Sequence, residues 1–354
     1  MGLPQINIIF QSKAIKAVQQ GAVGIVALVL KDESVVEELT HLKILDVADI
    51  PDTLSETNIE YLNQCFMGTP REVNAVVIPD DAANYNEALN YLETIQWNIG
   101  AIPGIASGDA ATVASWVKSM RDNKDRKVLF VLPNTAADHE GVINFTTSDI
   151  VVGENTYTAS EYTARIAGLI AGLSLRVAPT YQVLPEVDDV PKLTRAEADA
   201  KIDDGEFILY HDGEKVKVGR GVTSLVTTTG DKGEIWKKIK LVRIYDKVYT
   251  DIRSTFEDEY IGKVQNSYEN KLLLCAAVNA YYEVLEQEGL LDPGKSRLDI
   301  DVVAQKTYLR SIGEPVDEWN EQQIKEANTR DQVFVAGPLR ALDAIEDIQM
   351  IINL

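Results

Sequence analysis

Between residues 73 and 173, short apolar runs rich in β-branched side chains alternate with amphipathic stretches of about a dozen residues, and this rhythm leaves few folds open. Strands are predicted at Val73–Ile78, Trp97–Ile102 and Lys127–Leu132, with a shorter one at Asp149–Val152. Helices are predicted between them. One is Tyr85–Ile95, with Ala88, Leu89, Leu92 and Ile95 on one face; another is capped by Asp109 and runs to about Arg121; a third is Thr158–Leu173. Strands joined by helices of this length need crossover connections, so an α/β fold with a largely parallel sheet is expected.

The flanking regions differ in character. Gly21–Leu30 is apolar and follows Lys13 and Lys16, which imitates a secretion signal. No small-residue cleavage site follows, ten residues cannot span a bilayer, and Ile25, Val26 and Val29 favour a buried strand. Leu54–Met67 reads as a helix capped by Ser55 or Thr57. Residues 180–235 are punctuated by prolines and by Asp-Gly turns around short strands such as Phe207–Tyr210. Beyond them Leu241, Tyr245, Val248, Ile252 and Phe256 mark a helix stripe. A second helix is expected from Ser267 to Gln287, ending at Gly289, with shorter ones near 300–310 and 317–327.

The chain has 55 acidic and 34 basic residues, a net charge of −21, which repels phosphate backbones and argues against nucleic-acid binding. Cys65 and Cys275 form no CxxC pair, so neither a disulfide framework nor a structural zinc site is indicated. Catalytic patterns appear only as near-misses. His139-Glu140 begins an HExxH whose second histidine is replaced by Ile143, and Ser107 stands one place too late for a nucleophile elbow. The Gly-rich stretch Gly100–Asp109 could hold a phosphate at a helix N-terminus, but it lacks both G-x-G-x-x-G and a Walker ending. An α/β enzyme binding a nucleotide or small molecule there is the alternative reading. The preferred one is a non-enzymatic chain with no cofactor and no metal.

The two ends of the chain share a pattern. Gln5-Ile6-Asn7-Ile8-Ile9-Phe10 and Asp347-Ile348-Gln349-Met350-Ile351-Ile352-Asn353 each place apolar residues at alternate positions, so each is a strand with one face to bury. Both could complete the protomer's own sheet. The alternative is donation to a neighbouring subunit, where main-chain hydrogen bonds supply affinity and head-to-tail use builds an open helical assembly.

The order of motifs then resembles one family. Gly2–Phe10 with Gly24–Asp32, Leu54–Gly68, Asn84–Gly104, Val242–Arg253 through Tyr260–Val264, and Gln332–Val335 with Asp343–Ile348 are together similar to the contractile tail sheath proteins of bacteriophages and phage-tail-like bacteriocins. The likeness is to the short type of Gram-positive myophages, including R-type bacteriocins of the diffocin kind. The resemblance implies an α+β inner domain built from both chain ends, an inserted α/β outer domain, and terminal β-strand arms exchanged between subunits. It implies a structural subunit that polymerises around the tail tube in an extended metastable state and contracts to drive the tube through a cell envelope.

On this sequence the implied parts are an N-terminal arm (1–20), an inner-domain strand (21–33), an outer domain (34–178), an inner domain (179–344) and a C-terminal arm (345–354). The exchanged strands are Gln5–Phe10 and Asp347–Asn353. The acceptors are Ile25, Val26, Ala27, Leu28 and Val29, and Val333, Phe334 and Val335. Gly21, Gly24, Gly337 and Ala341 are the expected hinges. Lys237, Lys238, Lys240 and Arg243, a basic run in an acidic chain, are expected to touch the tube or a neighbour. The implied partners are further copies in a helical homopolymer of stacked rings, the tail tube, and baseplate and tail terminator proteins, with no nucleic acid and no membrane insertion. Assembly is expected in the producing bacterium's cytoplasm, followed by release in the particle.

Overall fold

A computed structural model describes residues 18–21, 23–35, 38–230 and 232–353. The chain forms two compact units, one containing residues 21–250 with 343–353 and the other 18–20 with 251–342.

In chain order the α/β unit contains β1 (Ile25–Asp32), β2 (Thr40–Ile44), α1 (Glu56–Phe66), β3 (Glu72–Pro79), α2 (Asn86–Leu92), β4 (Ile99–Ala101), α3 (Ser107–Asp122), β5 (Leu129–Pro133) and β6 (Val142–Phe145). A hairpin of β7 (Ile150–Val152) and β8 (Asn155–Tyr157) follows, then α4 (Thr163–Gly172), α5 (Arg195–Asp203), β9 (Glu206–Phe207) and a second hairpin of β10 (Leu209–His211) and β11 (Val216–Val218). Helix α6 (Ile239–Glu259) begins in this unit and crosses the boundary at 250/251.

Seven strands form one sheet in the order β2-β3-β1-β4-β5-β6-β9, parallel except for β2. Strand β1 explains why its sequence is apolar on both faces. Val26, Leu28 and Leu30 enter the core beneath α1 and α4, while Ile25, Ala27 and Val29 enter the core beneath α2 and α3. The result is a three-layer α/β/α arrangement.

This position corrects two expectations. Residues 21–33 join the α/β sheet, and residues 179–250 also belong to this unit, because β1 pairs with β3 along its whole length and β9 extends the opposite side. Strand β1 is also no acceptor: β4 covers Val26, Ala27 and Leu28 on the other edge, leaving no ladder there for a donated strand. Locally, Asp109 lies inside the first turn of α3 and Ala106 is the N-cap, whereas Ser55 caps α1 as expected.

The layer of α1 and α4 is held at backbone distance. A Cβ at Gly168 would lie 2.0 Å from the Cys65 carbonyl oxygen, and one at Gly172 would lie 1.7 Å from that of Gly68. The replacement Gly168→Ala therefore has to force the helices apart. A loss of about 1–3 kcal/mol is expected, despite the roughly 1 kcal/mol that alanine adds to helix propensity. Urea unfolding of the variant checks this.

The second unit contains the end of α6, α7 (Tyr268–Gln287), β12 (Asp299–Ile300), α8 (Val302–Ser311), α9 (Glu321–Glu326) and β13 (Val335–Ala336). Ser267 caps α7 and Gly289, at φ 71°, follows its end, as the sequence suggested. The buried Lys271 amine donates to Gln305 Oε1 (3.3 Å), to the Ala327 carbonyl (3.3 Å) and to Thr329 Oγ1 (3.0 Å), tying α7 to α8 and to the segment after α9. Strands β12 and β13 make a two-stranded antiparallel sheet. No helix among the described residues is long and apolar enough to cross a membrane.

Candidate functional site

Two of the four expected hinges are fixed points. Gly24 is buried at φ 85°, and its carbonyl accepts the Arg71 N–H at 2.9 Å. Gly337 packs so closely that a Cβ would sit 1.8 Å from the Arg297 carbonyl oxygen. Gly24 is required by its left-handed backbone and Gly337 by close approach. Gly21 and Ala341 lie at or beside the places where the chain passes between units, 20/21 and 342/343, although Ala341 also bridges to Leu291.

In the Gly100–Asp109 stretch the glycines at 100 and 104 serve the fold. A Cβ at Gly100 would meet the Phe130 ring at 2.4 Å, and the Gly104 N–H is donated to the Ser160 carbonyl. Near the other near-miss, His139, Asp122 and Glu140 converge, but cations already serve the carboxylates. Lys232 reaches Glu140 at 2.9 Å and Asp122 at 3.5 Å. Arg121, 1% exposed, donates two hydrogen bonds to Asp246 (2.7 and 2.8 Å) and one to the Val128 carbonyl, with Glu140 3.5 Å from its Nε. Burial alone would lower the Arg121 pKa, but Asp246 and Glu140 outweigh it and raise it. Burial holds the His139 pKa below its usual value, so the ring is a neutral member of the cluster. The whole is an ion-pair network joining α3 and the turn before β6 to α6.

Of the four residues of the expected basic contact surface, Lys240 and Arg243 turn inward, while Lys237 and Lys238 are partly exposed and pair with acids of this chain. Arg243 is buried and donates to the Leu173 carbonyl at 2.9 Å, which satisfies the C-terminus of α4; burial lowers its pKa to about 10. Lys240 is also buried, and burial outweighs the pull of Asp343 and Glu346 in setting its pKa below the usual lysine value. Lys237 pairs with Glu234 at 3.0 Å. Lys238 reaches across 105 positions of sequence to Asp343 and lies 3.4 Å from Glu346.

Those two acids open the C-terminal arm, and the rest of its root is built the same way. Arg220, just beyond β11, lies 3.5 Å from Glu346 and 2.5 Å from Asp347. Thr180 accepts the Gly221 N–H at 3.0 Å and donates its hydroxyl to Glu346. The Glu346 side chain is only 7% exposed. Past this root the chain has no helix or strand and makes no ladder among the described residues, and Ile345, Ile348, Met350, Ile351 and Ile352 are 73–88% exposed. The proposed acceptor of such a strand is partly available. Residues 333–335 are backed on one side by β12, with the Asp301 N–H donated to the Phe334 carbonyl, while the other edge of β13 has no strand among the described residues. The N-terminal candidates Gln5, Ile6, Asn7, Ile8, Ile9 and Phe10 lie outside the described residues.

Known proteins decide what this arrangement belongs to. Residues 80–224 match the family described as the phage tail sheath protein central domain, and residues 231–354 match the phage tail sheath C-terminal domain. The tail sheath protein of Clostridium phage phiCD119 is 36% identical over 358 residues, covering 99% of this chain and 98% of that one. The chain belongs to the phage tail sheath family. Solved sheath structures share the fold. The sheath tail protein of Desulfitobacterium hafniense aligns at a TM-score of 0.71 and 18% identity, covering 84% of this chain and 94% of that one. The helical sheath of the anti-feeding prophage in its contracted state aligns at 0.74 and 14% identity, over 100% and 99%. The mixed α/β architecture of this sheath protein is thus that of its family, and it is a structural component of phage tail type.

Proposed function

We propose that this sheath protein polymerises by strand exchange around a tail tube, in an extended metastable state, and contracts to drive the tube through a target envelope. In this reading the polymer is a helical stack of rings, and its partners are further copies, the tube, the baseplate and the tail terminator. Assembly takes place in the producing bacterium and the sheath leaves in the released particle. The chain contributes no catalysis. The helical unit is the part that meets the tube, as the family resemblance implies. A few kcal/mol stored per subunit, repeated along a polymer, suffices for a cooperative transition.

One observation carries the reading: the alternating apolar segment Ile345–Asn353 stands exposed, with no strand beside it among the described residues, in a chain whose β13 has an open edge. A strand with one greasy face and unpaired main-chain groups is an aggregation hazard unless a partner is supplied. Asp347–Asn353 is the donated strand and the edge at Val333–Val335 of another copy receives it, in the manner of β-augmentation. Gln5–Phe10 remains the proposed second arm, and Gly21 and Ala341 the points of rotation.

Paired cysteines test the exchange. Burial pushes the Cys65 thiol up to about 12 and the Cys275 thiol up to about 11, so both stay silent under mild oxidation. Met350→Cys combined in turn with Val333→Cys, Phe334→Cys or Val335→Cys is expected to give a ladder of covalent multimers from assembled material. Disulfides confined to single chains would refute the exchange.

A further inference from the structure

Two basic residues from a distant part of the chain, Arg220 and Lys238, meet where the arm begins. Glu346 is a largely buried carboxylate that accepts the Thr180 hydroxyl and lies 3.5 Å from Arg220 and 3.4 Å from Lys238, which hydrogen-bond Asp347 and Asp343 beside it. An exposed ion pair such as Arg220–Asp347, with Asp347 87% exposed, contributes little alone. Glu346 is different, because Arg220, Lys238 and Thr180 converge on it: loss of one cation loosens the start of the arm without stranding the carboxylate. Glu346 is therefore the fixed point from which the free part of the arm departs.

That fixed point carries geometric information. Side chains of a strand alternate, so residues 346, 348, 350 and 352 share one face. Holding Glu346 against the α/β unit determines on which side Ile348, Met350 and Ile352 lie, and a slip of one residue would turn all three to the other side.

We infer that Arg220 and Lys238 are positioning residues for strand exchange: by gripping Glu346 and its neighbours they set the starting point and the facing of the arm before a partner arrives. The inference rests on the exchange reading above. A pre-set arm has less freedom to lose on docking than a loose tether of the same sequence.

The test uses the full chain and reads the concentration at which half of it sediments as polymer. Arg220→Met is expected to raise that concentration about tenfold. Arg220→Lys, which keeps the charge, should stay within about threefold of the parent. A merely structural role predicts a lower melting temperature of the dilute monomer in step with the assembly defect; here the melting temperature is expected to hold.

A second pair of variants reads the facing. One alanine inserted between Asp347 and Ile348 should impair polymerisation more than two alanines, because two restore the alternation. Equal effects of one and two insertions, or assembly of Arg220→Met at the parental concentration, would overturn the inference while leaving strand exchange intact. Polymerisation by a chain lacking residues 345–354 would remove the exchange reading, and this one with it.

Discussion

A chain cut after residue 344 is expected to fold, to remain monomeric, and to form no tubes at any concentration that suffices for the parent. The reason lies in what the arm contributes to each state. In the monomer its five large apolar side chains are 73–88% exposed, so their removal takes almost nothing from the core. Loss of the pairs at Glu346 and Asp347 limits the change in monomer stability to about 1 kcal/mol. In a docked state each buried side chain yields about 1.5–3 kcal/mol and each ladder hydrogen bond about 1 kcal/mol, against about 1–2 kcal/mol of ordering per residue. The surplus is a few kcal/mol per contact, roughly a hundredfold to a thousandfold in affinity, and every subunit loses it once as donor and once as acceptor. Sedimentation together with electron microscopy of the truncated chain is the measurement. Striated tubes of parental appearance would sink the arm mechanism.

Replacing Arg121 by alanine is expected to destabilise the α/β unit by about 3–5 kcal/mol, the range for breaking a buried pair from one side. The substitution strands Asp246, with Glu140 left to Lys232 and His139, and it also removes the donor to the Val128 carbonyl. Thermal unfolding of the dilute chain should fall by roughly 10 °C. The double variant Arg121→Met, Asp246→Leu is expected to regain much of the loss, because it removes the orphaned charge as well as its partner. A single variant as stable as the parent would show that the network adds nothing to the fold.

Much of the sheet was legible from sequence because its strands are buried on both faces and read as unbroken runs, as in β1, β3 and β5. Strand β2, Thr40–Ile44, was not. It is a mostly polar edge strand whose pattern looks like a loop, and only β3 beside it gives it form. Strand β6 was hidden by its brevity and by Asn144, whose buried side-chain oxygen accepts the Thr135 N–H at 2.6 Å. The apolar alternation of residues 348–352 marked the C-terminal arm directly. Its root was invisible, because Arg220 lies 127 positions from Asp347 and Lys238 lies 105 from Asp343. The visible trace was a basic run in an acidic chain, and reading it as an outward patch does not fit Lys240 and Arg243, which are buried. Strand β1 misled in the same way, since a run fit to receive a partner looks the same whether its edges are open or already filled.

The uncovered arm also makes every free subunit a colloidal problem for the cell that produces it. Five bare apolar side chains on one short segment invite random clumping, and a surplus of 21 negative charges on each copy opposes it. Salt shortens the reach of that repulsion to about 8 Å at physiological strength, so copies can approach but gain little from a glancing encounter. If the arm docks as proposed, growth favours an existing end, where a seated neighbour offers a ready edge, over spontaneous nucleation in solution.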